Sequence, residues 1–487
     1  MLNDLSVYIG SRGYTIRKDS LEESDLRLIR NDLEVKAFVP KTSLAKPSPF
    51  PIYRESKTKI YLPRFYGLEH YGEPEKTLLS NTEPLDLTFA GELRDYQLDI
   101  VKNWLEKTRL YGCGLIEADC GAGKTVIATK IIAELQQKTL IIVHKGFLLR
   151  QWRERLEQFL PGARIGLIQG PTLDIENKDI VIGMLQSLSM KDYDRSVFKQ
   201  FGLTIVDECH HISAEVFSRV LFKSVTKHML GLSATMDRQD GLTNVFKMFM
   251  GPIVASWKRG IQDNVVVKAI EYRNDCPVYN KMEHNYRHQT DFVKMITKIV
   301  DFIPRTEFIL KVIQDTWRDT GTQILLIGHR KSQLIYMHDA IKDSGFATVG
   351  YYIGGMKEKD LKISEGKDIV VATYTMAEEA LDIKSLSTIV MSTPKKDVRQ
   401  SVGRIMRSKG NKLVIDIIDT HSNFQRYWIE RRRWYNRQYF KVLHTNVDRY
   451  NGADKHSVWE SLQHKKIREV KGKRGVGENL IFGKCMV

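Results

Sequence analysis

The chain has 487 residues, of which 42% are hydrophobic and 28% charged, the balance of a folded globular protein rather than a disordered or fibrous one. Its net charge of +16, from 75 Lys+Arg against 59 Asp+Glu, asks for an acidic partner, and nucleic acid is the commonest for a basic chain of this size. No apolar run approaches the roughly 18–20 residues that cross a bilayer. The five cysteines (113, 120, 209, 276 and 485) form no Cys-x-x-Cys pair, so neither a zinc site nor a disulfide frame is suggested.

The start, Met1 to Leu5, lacks the basic-then-apolar design of a signal peptide, and the expected setting is a reducing intracellular compartment. This length makes two or more domains, each able to bury a core. Residues 1–90 read as a small α+β accessory module. Val7-Tyr8-Ile9 and Tyr14-Thr15-Ile16-Arg17 have strand character. Ser20 to Glu23 has the Ser-x-x-Glu spacing of a capping box, opening a helix through Arg30 with Leu21, Leu26 and Ile29 inward. Leu33 to Val39 alternates as a strand does. After a proline-bearing loop, Lys59 to Gly67 mixes bases with aromatics. That composition suits phosphate contact with base stacking, and equally a strand edge with its aromatics packed inward.

From Leu93 short apolar runs alternate with helical stretches, the pattern of a parallel sheet covered on both faces. The runs at 140–143, 180–183, 203–206 and 229–232 form one set, and those at 324–327, 347–351, 369–372, 388–391 and 413–416 a second. The fold class expected is therefore α/β. Residues 91–255 form a first domain, 256–320 a bridging segment with amphipathic helices, and 321–422 a second domain. Residues 423–487 form a basic, aromatic-rich helical extension: from His421 onward there are 15 Lys+Arg against 6 Asp+Glu. In the helix from Phe424 to Phe440 the aromatics are expected to pack inward and the arginines (426, 431, 432, 433, 437) to face solvent and a bound strand. The tail beyond Tyr450 has few apolar anchors and no expected packed core.

Four stretches carry chemistry. Ala118-Asp119-Cys120-Gly121-Ala122-Gly123-Lys124-Thr125 lies between an apolar strand and a helix, as a phosphate-binding loop does. Its glycines let backbone N–H groups face a phosphate, Lys124 reaches the β- and γ-phosphates, and Thr125 holds Mg²⁺. The full pattern asks for glycine at 118, where this chain has alanine, and a plain glycine turn is the alternative. About 80 residues later, Asp207-Glu208-Cys209-His210-His211 leaves a buried strand. Asp207 suits the Mg²⁺ that bridges the phosphates, and Glu208 suits orienting and deprotonating the attacking water. Cys209, His210 and His211 are sequence neighbours that cannot easily converge on one ion, so no zinc is expected. Ser233-Ala234-Thr235 follows another apolar strand and can relay the state of the phosphate site, or simply turn the chain. Gln400 to Arg407 sets Arg404 and Arg407 three apart on one helical face, where arginines stabilise charge in phosphoryl transfer.

This ordered set resembles the superfamily 2 DExH (DECH-box) helicases and translocases, over residues 90 to 420. Their motifs I, II and III correspond to the three stretches through Thr235. Motif V is similar to Val371-Ala372-Thr373 with Glu379 to Ile383, and motif VI to Gln400 through Arg407. Within the superfamily the chain looks closest to one group. It contains the helicase subunit of the eukaryotic transcription and repair factor, the T-even phage recombination helicase, and the transcript-release helicases of poxviruses and giant viruses. Gly231 to Gly241 carries that likeness, with Arg238-Gln239-Asp240 where the repair helicase has an Arg-Glu-Asp wedge. The resemblance implies two tandem RecA-like domains and ATP with Mg²⁺ as cofactors. It implies nucleotide contacts from Arg94, Gln97, Cys120, Gly121, Ala122, Gly123, Lys124, Thr125 and Asp382, with Gln97 reading adenine. It makes Lys124, Asp207, Glu208, Gln400, Arg404 and Arg407 catalytic, Thr125 and Asp207 the metal holders, and Ser233 and Thr235 coupling residues. Nucleic-acid contacts fall to Lys145, Gln151, Gln186, Arg238, Arg330 and Thr373.

Three departures stand out: Gln239 for the wedge glutamate, Ala380 for the usual motif V glycine and Ser401 for a common motif VI arginine. The first puts strand separation by that element in doubt. The expected activity is an ATP-driven motor on DNA, single- or double-stranded, with RNA open, acting in transcription, repair or recombination. The rival readings are a duplex translocase that releases transcripts without unwinding, an RNA helicase, and a silent nucleic-acid-binding scaffold. A monomer without a membrane partner is expected, with the transcription machinery as a further partner. Its setting, for a viral protein, is the host cytoplasm or virion, with the nucleus open.

Overall fold

A computed structural model describes residues 5–36, 48–79, 81–119, 121–208, 214–234, 243–258, 260, 264–379, 381, 383–406, 408, 410–452 and 458–462. Two compact units divide the chain. The first holds Met1–Gly260 with Tyr374–Lys384 and Arg399–Arg407, and the second holds Ile261–Thr373, Ser385–Val398 and Ser408–Val487. Two short segments assigned from sequence to the second domain thus group with the first unit. Among the described residues no helix is long and apolar enough to cross a membrane.

The first unit begins with a five-stranded sheet built on β1 (Val7–Gly10), β2 (Gly13–Arg17) and β3 (Lys59–Leu62), flanked by Arg54–Glu55 and Lys76–Thr77. Helix α1 (Glu23–Asp32) starts later than its Ser-x-x-Glu spacing suggests. Ser20 spends its hydroxyl on the Arg17 carbonyl (2.7 Å), and the capping box forms between Glu22 and Asp25 instead. Leu26 and Ile29 are buried, as the helical period requires, and Leu21, which lies before the helix rather than in it, is half-buried. The expected strand from Leu33 to Val39 is formed only at Glu34–Val35, and residues 37–39 lie outside the described residues.

The base-and-aromatic stretch resolves as packing. After β3, Pro63 caps α2 (Arg64–Tyr71), and Tyr61, Tyr66 and Arg64 are all buried. Buried rings cannot stack on bases. Arg64, only 4% exposed, donates from Nη1 to the Tyr111 and Lys227 carbonyls (3.0 and 3.2 Å) and from Nη2 to the Thr226 carbonyl (2.6 Å). It thereby clasps the module to the larger sheet, and one hydrophobic cluster runs from Ile9, Tyr14 and Leu62 through to Phe222 and Phe249. Helix and strand approach closely at Gly67, where a Cβ would lie 2.1 Å from the Tyr14 ring.

The larger sheet has eight strands. In chain order the elements are α3 (Asp95–Lys107), β4 (Cys113–Ala118), α4 (Lys124–Leu135), β5 (Thr139–Val143), α5 (Gly146–Phe159), β6 (Ile165–Gln169), β7 (Thr172–Asp174), β8 (Ile180–Met184), β9 (Leu203–Val206), β10 (His228–Ser233) and β11 (Ile253–Trp257). Their order in space is β7-β6-β8-β5-β9-β10-β4-β11, and every pair except the edge hairpin β6–β7 is parallel. Strands β5, β8 and β9 are buried throughout, which is why they read as continuous apolar runs.

The second unit repeats the plan with β12 (Val265–Tyr272), α6 (Phe292–Asp301), α7 (Ile303–Thr320), β13 (Ile324–Gly328), α8 (Lys331–Ser344), β14 (Val349–Tyr352), β15 (Ile369–Thr373), β16 (Thr388–Met391), β17 (Lys412–Asp419), α9 (Ser422–Arg437), β18 (Lys441–Asn446) and β19 (Glu460–Ser461). The order is β14-β15-β13-β16-β17-β12-β18-β19, parallel except at the β18–β19 edge. Two tandem, mostly parallel α/β sheets thus stand as expected from the alternating pattern.

Of the stretch read as a bridge, 256–320, Ser256 and Trp257 end β11 of the first sheet, and the part from Val265 on is integral to the second. Its strand β12 lies between β17 and β18, and α6 and α7 bury Met295, Ile296, Ile299, Ile309, Val312 and Ile313 in the core. The expected helical extension likewise returns a strand, β18, to the sheet. Arg431 corrects the reading of α9: it is 2% exposed and pairs with Asp416 through Nε and Nη2 (2.8 and 2.9 Å), because that carboxylate would otherwise be buried unpaired. Arg426, Arg433 and Arg437 are exposed as expected, and Arg432 is half-buried. A second buried pair joins Arg305 to Asp419, which also accepts from the Tyr279 hydroxyl (2.7 Å).

Two predictions follow from the clasp around Arg64. Arg64→Met leaves the buried carbonyl at 226 and the partly buried ones at 111 and 227 without this donor and is expected to cost about 2–4 kcal/mol. An unchanged urea midpoint would contradict that role. His228, beside the clasp, is driven down to about 4 by burial and then by Lys227 and Arg64, against 6.5 ordinarily. Its folded pKa is depressed, so the stabilisation is whole above pH 6.5 and drains away as pH falls towards 4. His228→Gln should therefore lose less melting temperature than the parent between pH 7 and pH 4.5; equal losses would remove His228 as a source of acid sensitivity.

Candidate nucleotide site and strand-end edge

The phosphate loop leaves the carboxyl end of β4. Gly121 and Gly123 take left-handed backbone (φ 81° and 80°), and Gly123 caps the start of α4 at Lys124. Those angles favour glycine, which explains the residue type at both positions. Gln97 on α3 is buried against the loop: Nε2 donates to the Ala122 carbonyl (2.8 Å) and Oε1 accepts from the Arg94 N–H (3.0 Å). A Cβ at 123 would come within 2.4 Å of Gln97 Nε2, so the loop is drawn too tight there for a side chain. The Arg94 guanidinium donates to the Tyr96 hydroxyl (3.1 Å), which in turn donates to the Ala122 carbonyl (3.1 Å).

The acidic pair follows β9. Strand β10 lies between β4 and β9, so the two motifs leave strands two places apart rather than adjacent ones, and the side chains bridge the gap. Lys124 Nζ sits 3.3 Å from Glu208 Oε1 and also donates to the Ala118 carbonyl (3.3 Å). Asp207 is 5% exposed, with Oδ2 accepting from the Trp152 indole (2.8 Å) and Oδ1 from the Glu208 N–H (2.9 Å). Burial first, and then the Glu208 carboxylate, pushes Asp207 up to about 6. Glu208 itself has φ 46°, unusual for a residue with a side chain and found at the turn that aims its carboxylate at Lys124. Ser233 ends β10 between the two motifs and is fully buried. Thr125 lies in the first turn of α4, and its carbonyl accepts from the Thr129 hydroxyl (2.7 Å).

The nucleic-acid candidates of this unit gather on the other half of the same edge. Met184 and Val143 pair at the ends of β8 and β5. Lys145 caps α5, with its ammonium disfavoured by burial, and Gln186 donates to the His144 carbonyl (2.9 Å). Gln151 is half-buried on α5.

In the second unit Gly328 and Thr373 pair at the ends of β13 and β15, and Arg330 follows two residues on. Its guanidinium donates to the Thr297 hydroxyl (3.0 Å) on α6. The helix Arg399–Ile405, grouped with the first unit, carries Gln400 and Arg404. Arg404 donates to the Leu381 carbonyl (2.8 Å) and to that of Glu378. Ser401, the departure from the expected arginine, is fully buried with its hydroxyl on the Glu378 carboxylate. Cys120, Thr235, Arg238, Asp382 and Arg407 lie outside the described residues, as do Cys209, His210, His211, Gln239 and Ala380.

Two side chains of the site were missed by the sequence reading. Trp152, next to Gln151, was given no role of its own, although a tryptophan needs a partner for its buried N–H, which was the available signal. Trp257, on β11, stacks on Tyr96 beside the loop (4.3 Å between ring centroids), and nothing in its local sequence marks it.

Residues 90–238 match the family model described as type III restriction enzyme, res subunit. A mimivirus protein (Acanthamoeba polyphaga mimivirus) named "Putative ATP-dependent RNA helicase" is 32% identical over 483 residues, 95% of this chain and 91% of its own length. A protein of Sulfurisphaera tokodaii named as a DNA 3'-5' translocase is 26% identical over 415 residues, 76% of this chain and 91% of its own length. Among solved structures, the Hef helicase domain of Pyrococcus furiosus is 13% identical, spanning 70% of this chain and 98% of that one with a TM-score of 0.47. With the phosphate loop, the acidic pair and a full-length viral relative in place, the chain belongs to the superfamily 2 DExH helicases and translocases, which are ATP-hydrolysing enzymes.

Proposed function

We propose that this enzyme is a nucleic-acid-stimulated ATPase that moves along DNA, with Mg²⁺ as its metal cofactor. The observation that carries the reading is the division of one sheet edge. Strand ends β4, β9 and β10 present Lys124, Thr125, Asp207, Glu208 and Ser233, while the neighbouring ends β5 and β8 present Lys145 and Gln186.

Lys124 exchanges Glu208 for the β- and γ-phosphates when ATP enters, which frees the Glu208 carboxylate to orient and deprotonate a water. Gln97 and Arg94 border the loop on the side suited to the base. The Thr125 hydroxyl and Asp207 are the donors suited to Mg²⁺, since a hydroxyl and a carboxylate are hard oxygen ligands and each Asp207 oxygen keeps a lone pair beyond its one hydrogen bond. When bound, that ion neutralises charge on the β- and γ-phosphates. Asp207 would then be held ionised, because the charge of the cation would offset the burial that disfavours its carboxylate. Gln400, Arg404 and Arg407 are assigned to charge stabilisation, Asp382 and Cys120 to the nucleotide, and Thr235 to coupling with Ser233, all by motif. Lys145, Gln151, Gln186, Arg238, Arg330 and Thr373 are assigned to the nucleic-acid backbone.

A second reading, translocation without unwinding, is favoured by Gln239 in place of the wedge glutamate. The translocase named among the relatives supports DNA, and the mimivirus relative supports a viral setting, the host cytoplasm or virion, with a transcription machinery as the further partner proposed by motif likeness. A strand-displacement assay beside a triplex-displacement assay separates unwinding from translocation.

Lys124→Ala is expected to abolish ATP turnover, and Glu208→Gln to lower kcat at least 10³-fold, on the order seen when a group essential to hydrolysis is removed, while still binding ATP. Wild-type protein that neither hydrolyses ATP nor responds to any DNA or RNA would defeat the reading. Removing α9 is not a fair test of its arginines, because Arg431 and Tyr435 hold the buried Asp416. Replacing exposed Arg426, Arg433 and Arg437 with Gln tests them without that loss. Polynucleotide affinity should fall and the slope of log affinity against log salt should shrink by roughly two to three, one phosphate contact per arginine. An unchanged slope would take α9 out of the nucleic-acid surface.

A further inference from the structure

Trp152 is 1% exposed, and its indole N–H is 2.8 Å from Asp207 Oδ2. Its ring lies in the hydrophobic cluster that includes Ile141, Val143, Leu149, Leu156 and Ile205. Leucine or phenylalanine would fill such a place without bringing a polar atom inside, since a buried N–H is costly unless it finds an acceptor. Here it finds the carboxylate assigned to the metal. The other carboxylate oxygen accepts the Glu208 N–H. One donor on each oxygen fixes the plane of the group, whereas the backbone donor alone would leave it free to turn about its Cβ–Cγ bond.

The position of Trp152 in the fold adds a second role. It belongs to α5, which begins next to Lys145 and carries Gln151 immediately before it. Helix α5 follows β5, and β5 pairs with β9, the strand that ends at Asp207. Trp152 thus spans from the half of the sheet edge assigned to nucleic acid to the half assigned to the nucleotide. We propose that Trp152 is a positioning residue for ATP hydrolysis: its indole N–H orients the Asp207 carboxylate and ties it to the helix that bears the nucleic-acid contacts Lys145 and Gln151. A polynucleotide that shifts or steadies α5 then acts on Asp207 through one hydrogen bond. This rests on the proposed function for the roles of Asp207, Lys145 and Gln151.

Trp152→Phe keeps an aromatic ring and removes the N–H. Groups that orient metal-holding side chains typically change metal affinity or activity about 10–100-fold when lost. The expected result is a kcat about tenfold lower at saturating ATP and Mg²⁺, and a polynucleotide stimulation factor falling with polynucleotide affinity unchanged. A binding measurement, independent of turnover, uses a fluorescent ATP analogue with Mg²⁺ and with EDTA. Affinity in EDTA should equal that of the parent, and the gain on adding Mg²⁺ should shrink about tenfold.

Should Trp152→Phe lower the melting temperature by several degrees, benzothienylalanine at 152 decides instead, since it keeps the bicyclic shape and lacks only the donor. Parental kcat, stimulation and Mg²⁺ gain in that protein would overturn the inference. If the parent itself is not stimulated by any polynucleotide, the proposed function fails, while the Mg²⁺ gain in the binding measurement still decides whether Trp152 orients Asp207.

Discussion

Parallel strand pairing is the constraint from which the site follows. When neighbouring strands run the same way, all their carboxyl ends meet one edge, and the loops leaving them are brought together however far apart they lie in sequence. In the first unit that edge collects residues from Lys124 to Ser233. Each candidate side chain stands at the end of a largely buried strand or within about seven residues past it, so its origin is held firmly. The loop itself is drawn against α3 by Gln97, and the left-handed glycines make that approach possible.

The same edge concentrates charge in a poorly hydrated place, and the hydrogen bonds there answer that cost. Asp207 is buried and would be strained as a lone anion; Trp152 and the Glu208 N–H each supply a donor. Lys124 and Glu208 neutralise each other. This arrangement is held ready rather than deeply stable. In the proposed function a phosphate would compete with Glu208 for Lys124, and a cation held by Asp207 would offset the burial that disfavours its carboxylate. The chemistry attributed to the family and the polar satisfaction of the site therefore draw on the same few atoms.

Elsewhere, buried arginines hold the scaffold. Arg64 ties the amino-terminal module to the large sheet through backbone carbonyls and the Cys113 sulfur, whereas Arg305 and Arg431 each face a buried aspartate on β17. Breaking either aspartate pair would leave an uncompensated charge, which is more damaging than the pair's net contribution is stabilising. These contacts make the module, the segment before β13 and the helix after β17 integral parts of their units. A basic residue in this chain is therefore no guide to nucleic acid until its burial is known: Arg426 and Arg431 lie in one helix, the first exposed and the second buried against Asp416.

The amino-acid sequence by itself determined the alternation of strand and helix, the tandem α/β plan and the identity of the phosphate loop and acidic pair. Those features are local: continuous apolar runs, left-handed glycines and acids at a strand end leave their signature within a dozen residues. Tertiary structure alone decided what depends on partners distant in the chain. Strand β12 was hidden because its neighbours, β17 and β18, come more than 140 residues later. The aromatic stretch before Gly67 could suit bases or a core until Tyr61 and Tyr66 were seen to be buried. Trp152 reads as a core residue until β5 and β9 are set side by side and its N–H meets Asp207, a contact that no spacing within α5 encodes.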